Sequence, residues 1–138
     1  MPGGSAWLYD AASGAYLRKL TGGDTLLNDA FGCSVAIYGD VAIVGASSDD
    51  DAASASGSAY LFNATTGEQI EKLTPSDGGL FDDFGCSVAL AGYRGIAGAQ
   101  QPTVGAGTAY LFAVPEPASM TLLVLGGLSV VVRRKRRA

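Results

Sequence analysis

Residues 4–46 and 57–99 are one unit written twice. Shifted by 53 positions without a gap, 22 of the 43 aligned residues are identical, too many for chance resemblance between two loops. "GSAWLYDAASG" at 4–14 answers "GSAYLFNATTG" at 57–67, and "DAFGCSVAIYGD" at 29–40 answers "DDFGCSVALAGY" at 82–93. "GTAYLF" at 107–112 opens a third copy. A fixed period of this length confines the chain to architectures in which one small unit stacks on copies of itself, because a lone unit cannot bury its apolar face.

Each unit reads as short strands parted by turns. "CSVAIYGD", "VAIVGAS", "GSAYLFN" and "GEQIEKLT" are rich in β-branched and aromatic residues, are separated by Gly, Asp, Asn, Ser and Thr, and contain no competing helical period. The pattern predicts two strands in 4–21, four in 33–74 and three in 86–112. Four strands in about 50 residues make one blade of a β-propeller. Gly32, Gly39 and Gly45, repeated as Gly85, Gly92 and Gly98, are expected where the backbone takes positive φ or strands approach closely. Phe31 and Phe84 are expected to pack between blades.

The stretches "FGCSVAIYGDVAIVGAS" and "FGCSVALAGYRGIAGAQ" resemble the FG-GAP repeat, the blade unit of the integrin α propeller and of many bacterial surface proteins. The matching pairs are Phe31-Gly32 with Gly45-Ala46, and Phe84-Gly85 with Gly98-Ala99; Ser47 and Gln100 stand where a proline often follows. The resemblance implies an all-β fold, a propeller of about seven blades and non-catalytic recognition at a cell surface. Residues 1–113 form this segment, with repeats at about 4–56, 57–106 and 107–113. Nine strands do not close a ring of four-stranded blades, so the expectation is an incomplete propeller, about two blades plus partial ones, with wet outer faces and unpaired edges.

The tail is different in kind. Arg133, Arg134, Lys135, Arg136 and Arg137 are five of the nine basic residues, leaving Arg18, Lys19, Lys72 and Arg94 against 13 acidic ones. An acidic body with its only basic cluster at the terminus argues against nucleic acid as a partner, since phosphate contacts need Lys and Arg grouped on the folded surface. Ahead of the arginines lie 15 largely apolar residues, 118–132, short of the roughly 20 that a permanent membrane span takes. If this run inserts in a membrane, its basic flank stays on the cytoplasmic side and everything before Pro115 lies outside. Pro115, Glu116 and Pro117 precede the run; proline cannot continue a helix, so this is an extended, accessible joint.

Joint, apolar helix and basic end together resemble the PEP-CTERM sorting signal of Gram-negative bacteria, here 114–117, 118–132 and 133–138. The resemblance implies export, a transmembrane-type C-terminal helix tethering the chain to the inner membrane, recognition of Pro115, Glu116 and Pro117 by an exosortase-type enzyme, and delivery to the cell surface or its polysaccharide matrix. An exported chain also needs a basic, apolar leader, and "MPGGSAWLYD" is not one, so the natural chain is expected to start further upstream or to be a remnant of a longer gene.

With no histidine, Ser-His-Asp and Cys-His catalysis and His-ligated zinc are excluded. Asp82 and Asp83 are the paired carboxylates, matched in the first copy by Asp29 and Ala30; a carboxylate recurring in each repeat points to turn chemistry. The loop "SSDDDAASASGS" at 47–58 is the densest acid cluster, and Asp49 and Asp51 are the candidate calcium ligands, with a solvated polar loop as the preferred alternative. No other cofactor is implied. Cys33 and Cys86 are expected as two small buried thiols rather than a disulfide. "NAT" at 63–65 reads as a turn. The function expected is an exported, surface- or matrix-associated binding or structural module without catalysis; the alternative is a remnant or C-terminal fragment of a larger exported propeller enzyme or adhesin.

Overall fold

The computed structural model describes residues 3–51, 53–100 and 106–115. The strands are β1 (Ala6–Tyr9), β2 (Tyr16–Leu20), β3 (Phe31–Tyr38), β4 (Val41–Ala46), β5 (Ser58–Asn63), β6 (Gln69–Leu73), β7 (Ser87–Ala91), β8 (Arg94–Ala99) and β9 (Thr108–Ala113). They form three antiparallel meanders: a first sheet β1-β2, a second β3-β4-β5-β6 and a third β7-β8-β9. This is the two, four and three that the repeat predicts, and no helix occurs among the described residues. The expected apolar helix 118–132, the basic end, Glu116 and Pro117 lie outside the described residues.

The turns are built by the residues that recur. Asp10 Oδ1 accepts the amides of Ala12 and Ser13, each at 2.8 Å, ahead of Gly14 at φ +72°. Asn63 Oδ1 accepts those of Thr65 and Thr66 at 2.9 and 3.1 Å, ahead of Gly67 at φ +82°. A short polar side chain capping its own loop fixes each hairpin, and "NAT" is indeed a turn.

The core is laid down by the period-two alternation of β4 and β5. Val41, Ile43, Ala59 and Leu61 face the third sheet, where Phe84, Ala97, Ala99 and Val114 join them. Ala42, Val44, Tyr60 and Phe62 face the first sheet with Leu20 and Phe31. Both faces of these two strands are buried, so they read as nearly continuous apolar runs.

The Phe-Gly and Gly-Ala pairs meet across the sheet boundary. Phe84 wedges between the second and third sheets, and Gly85, at φ +88°, carries the backbone over the second sheet. A Cβ on Gly45 would lie 2.0 Å from the Gly85 carbonyl oxygen, which also accepts the Ser34 hydroxyl at 2.6 Å. Phenylalanine fills the gap, while glycine on both sides lets two backbones touch. Parallel bridges Gly4–Phe31 and Gly57–Phe84 repeat this junction one unit apart.

The cysteines correct one expectation. Neither is bonded, but Cys33 is exposed and Cys86 half-buried. Cys33 lies on β3 within the register shift between Phe31 and Ser34, its thiol 3.5 Å from the Gly85 carbonyl oxygen, and the Cys86 thiol is 3.6 Å from that of Gly98.

Candidate functional site

Lys72, on β6, lies across from Tyr60 in the β5–β6 register, its ammonium 5.2 Å from the ring centroid. Two loops close around it. Asp24, from the β2–β3 connection, brings Oδ2 to 2.8 Å of Lys72 Nζ; Asp49, from the β4–β5 loop, brings Oδ2 to 3.0 Å, and Asp51 of the same loop makes the closest contact. The Tyr60 hydroxyl sits 2.9 Å from Asp24 Oδ1 and 2.8 Å from Asp49 Oδ2, so its one proton serves two carboxylates. Asp49 is buried, whereas Asp24 and Asp51 are about half exposed. One lysine and one tyrosine thus tie together two loops that meet at the boundary of the first and second sheets.

The electrostatics follow from this geometry. Burial pushes the Asp49 carboxyl up, but the Asp51 amide, the Lys72 ammonium and the Tyr60 hydroxyl outweigh it and leave Asp49 below its ordinary range. Asp24 is likewise lowered, desolvation being outweighed by Lys72 and Tyr60. Desolvation opposes the charge on Lys72, yet its hydrogen bonds to Asp24, Asp51, Tyr60 and Asp49 raise it overall. Tyr60 is raised, by burial first and then by the adjacent carboxylates. Asp29, close by, is raised by burial and by the charges of Asp49, Asp50 and Asp51, against the Leu26 amide that its carboxylate accepts at 2.5 Å.

Alternate carboxylates of the acidic loop point to one side, so Asp49 and Asp51 do converge, while Asp50 accepts the Ala55 amide at 2.6 Å. What they converge on is the Lys72 ammonium. Calcium needs six to eight oxygens free of a competing cation. This set fits a lysine instead, and among the described residues no His, Cys, Asp or Glu trio has the geometry to hold a metal. The loop is not a merely solvated one either, since Asp49 is spent inside the structure.

Asp29 and Asp82 take the place expected of turn residues. Asp82 Oδ2 accepts the Gly79 amide at 2.6 Å, as Asp29 accepts that of Leu26. The Tyr–Asp contact also recurs: Tyr110 donates to Asp77 at 2.7 Å, one repeat beyond Tyr60 and Asp24. Lys19 lies opposite Trp7 and over its ring at 5.7 Å, as Lys72 does with Tyr60. Sequence reasoning passed over Asp24, Tyr60 and Lys72; the signal was their recurrence as Asp77, Trp7 or Tyr110, and Lys19.

Stacked, repeated antiparallel sheets joined by a Phe-Gly over Gly-Ala junction define a β-repeat protein. The chain belongs to the FG-GAP repeat family, whose model matches residues 16–62 and 68–112, more than half its length. That frame runs from β2 to β5 and from β6 to β9, so each repeat supplies the last strand of one sheet and three strands of the next. A PEP-CTERM protein-sorting motif matches residues 113–137. It marks an exported protein that is anchored at the membrane before an exosortase-type system processes it. No curated protein matches the chain.

Proposed function

We propose that the chain is a non-catalytic binding or structural module, built of propeller blades, that ends at the cell surface or in the extracellular polysaccharide matrix. The observation that carries this reading is the union on one chain of an FG-GAP body with a sorting motif that begins where the body stops. Val114 is buried in the core and its amide donates to the Tyr93 carbonyl at 2.9 Å, so the fold reaches to the residue before Pro115. The carboxylates support the same reading. Asp29, Asp49 and Asp82 are buried and engaged in holding loops, and such groups serve architecture rather than proton transfer.

Replacing Pro115, Glu116 and Pro117 by alanine in cells that carry an exosortase is expected to leave a full-length, inner-membrane form. The unaltered chain is expected to lose its tail and co-fractionate with the polysaccharide matrix. Retention of the processed body in the periplasm, or normal surface delivery of the alanine variant, would refute the proposal.

A further inference from the structure

β1 and β9 are the same strand of the repeat, "AWLY" after Gly4-Ser5 and "AYLF" after Gly107-Thr108. β5, the copy between them, shows where such a strand belongs, paired to β4 on one side and to β6 on the other. β1 has the β6-like partner, β2, and β9 has the β4-like partner, β8; among the described strands each stands at the edge of its sheet. The first and third sheets therefore hold complementary parts of one four-stranded sheet.

The open side of β1 gives onto an apolar groove of about 480 Å³ between the first and second sheets, walled by Ala6, Trp7, Leu8, Val35, Ile37 and Val44. Val35 and Ile37 are 61% and 56% exposed there. At the next boundary the same space is filled. Val88 and Leu90, the counterparts of Val35 and Ile37, pack on a cluster that includes Val41 and Ile43 of the β3–β4 hairpin. What fits the groove is thus a hairpin of that type. The chain carries a second one, β7–β8, whose Ile96 is 38% exposed where its counterpart Ile43 is at 0%.

We propose that a second copy of this chain fills the groove: its β7–β8 hairpin enters, its β9 yields the β8 edge, and β1 of the first copy takes that edge. The composite sheet, β7-β8 from one copy and β1-β2 from the other, has the order and strand count of β3-β4-β5-β6. This assembly rests on the blade reading given above. β1 and β9 compete for one position, so the copies cannot join in this register unless the strand exchanges. The exchange trades like for like, Ala97 opposite Tyr110 becoming Ala97 opposite Trp7 of the other copy. Covering Val35, Ile37 and Ile96 then favours association, and swapping an identical element is a low-cost route to it. The contact is head-to-tail, so it closes into a ring if the rotation permits. The described residues of each copy then supply one whole and one composite blade, so a ring of about two to four such units has the roughly four to eight blades of closed propellers.

The test uses the full chain in mild detergent, with Cys33→Ser and Cys86→Ser as background. In the composite sheet position 96 lies opposite position 8 of the other copy; within one chain it lies opposite 111. Oxidation of the Leu8→Cys, Ile96→Cys variant is expected to give a ladder of covalent multimers, and the Leu111→Cys, Ile96→Cys variant mainly uncross-linked chains. A silent first pair with an intramolecular bond in the second would overturn the proposal. Hydrogen exchange read on the same samples separates the two readings: protected β4 and β5 amides with a silent first pair mean that only the assembly fails, and unprotected ones mean that the blade reading fails with it.

Discussion

At the scale of single residues, Lys72 is the group on which most depends. Its contacts to Asp24 and Asp51 are half in water and contribute little, whereas Asp49 is buried and loses a charged partner if the lysine goes. Lys72→Met is expected to cost about 2 kcal/mol, and Asp51→Ala under about 1 kcal/mol, in denaturant unfolding of the detergent-solubilised chain. The pH response has a definite sign. Lys72 and Tyr60 are both raised in the folded state, so both keep their protons when the unfolded chain begins to lose its own. Their contribution is whole below about pH 10 and is lost as pH rises beyond it. The melting temperature is expected to hold up to about pH 10 and then fall, and Tyr60→Phe to make that alkaline fall shallower. An unchanged slope in Tyr60→Phe would show that the phenol is not what the fold protects.

At the scale of strands and turns, the junction of Gly45 with Gly85 sets the spacing of neighbouring sheets. Gly45→Val would drive its side chain into the Gly85 carbonyl, and a destabilisation of about 3 kcal/mol, the upper part of the overpacking range, is expected in the same unfolding measurement. The nine strands among the described residues were legible because the repeat states each one at least twice and β4 and β5 are apolar on both faces. The Phe-Gly and Gly-Ala pairs were legible for the same reason. The Lys72 cluster was not: its members come from β6, β5 and two loops, and only the conformation of those loops brings Asp24 and Asp49 onto one ammonium. The exposure of Cys33 was not legible because a small residue in a strand reads as buried, whereas Cys33 falls within the register shift between Phe31 and Ser34, which no sequence pattern announces.

At the scale of the whole molecule, the first and third sheets expose faces that the second has covered on both sides. Leu111 is 76% exposed where Leu61, its counterpart, is at 0%. Extending the body by about four or five more copies of the unit is expected to convert self-associating material into a soluble monomer with one cooperative melt. Light scattering and calorimetry check this; a cooperative, monomeric melt from residues 1–113 alone would point to a self-contained β-sandwich instead. Among the described strands β9 stands at the edge of its sheet, and at Val114 it passes directly into the sorting segment. Any tension between a membrane-held tail and the body is therefore applied at the end of β9 nearest the β7–β8 turn, where Ala113 lies opposite Arg94. While β9 is seated on β8, a pull directed away from β8 peels the strand one hydrogen bond at a time instead of loading them together, and the Val114–Tyr93 bond is the first to carry it.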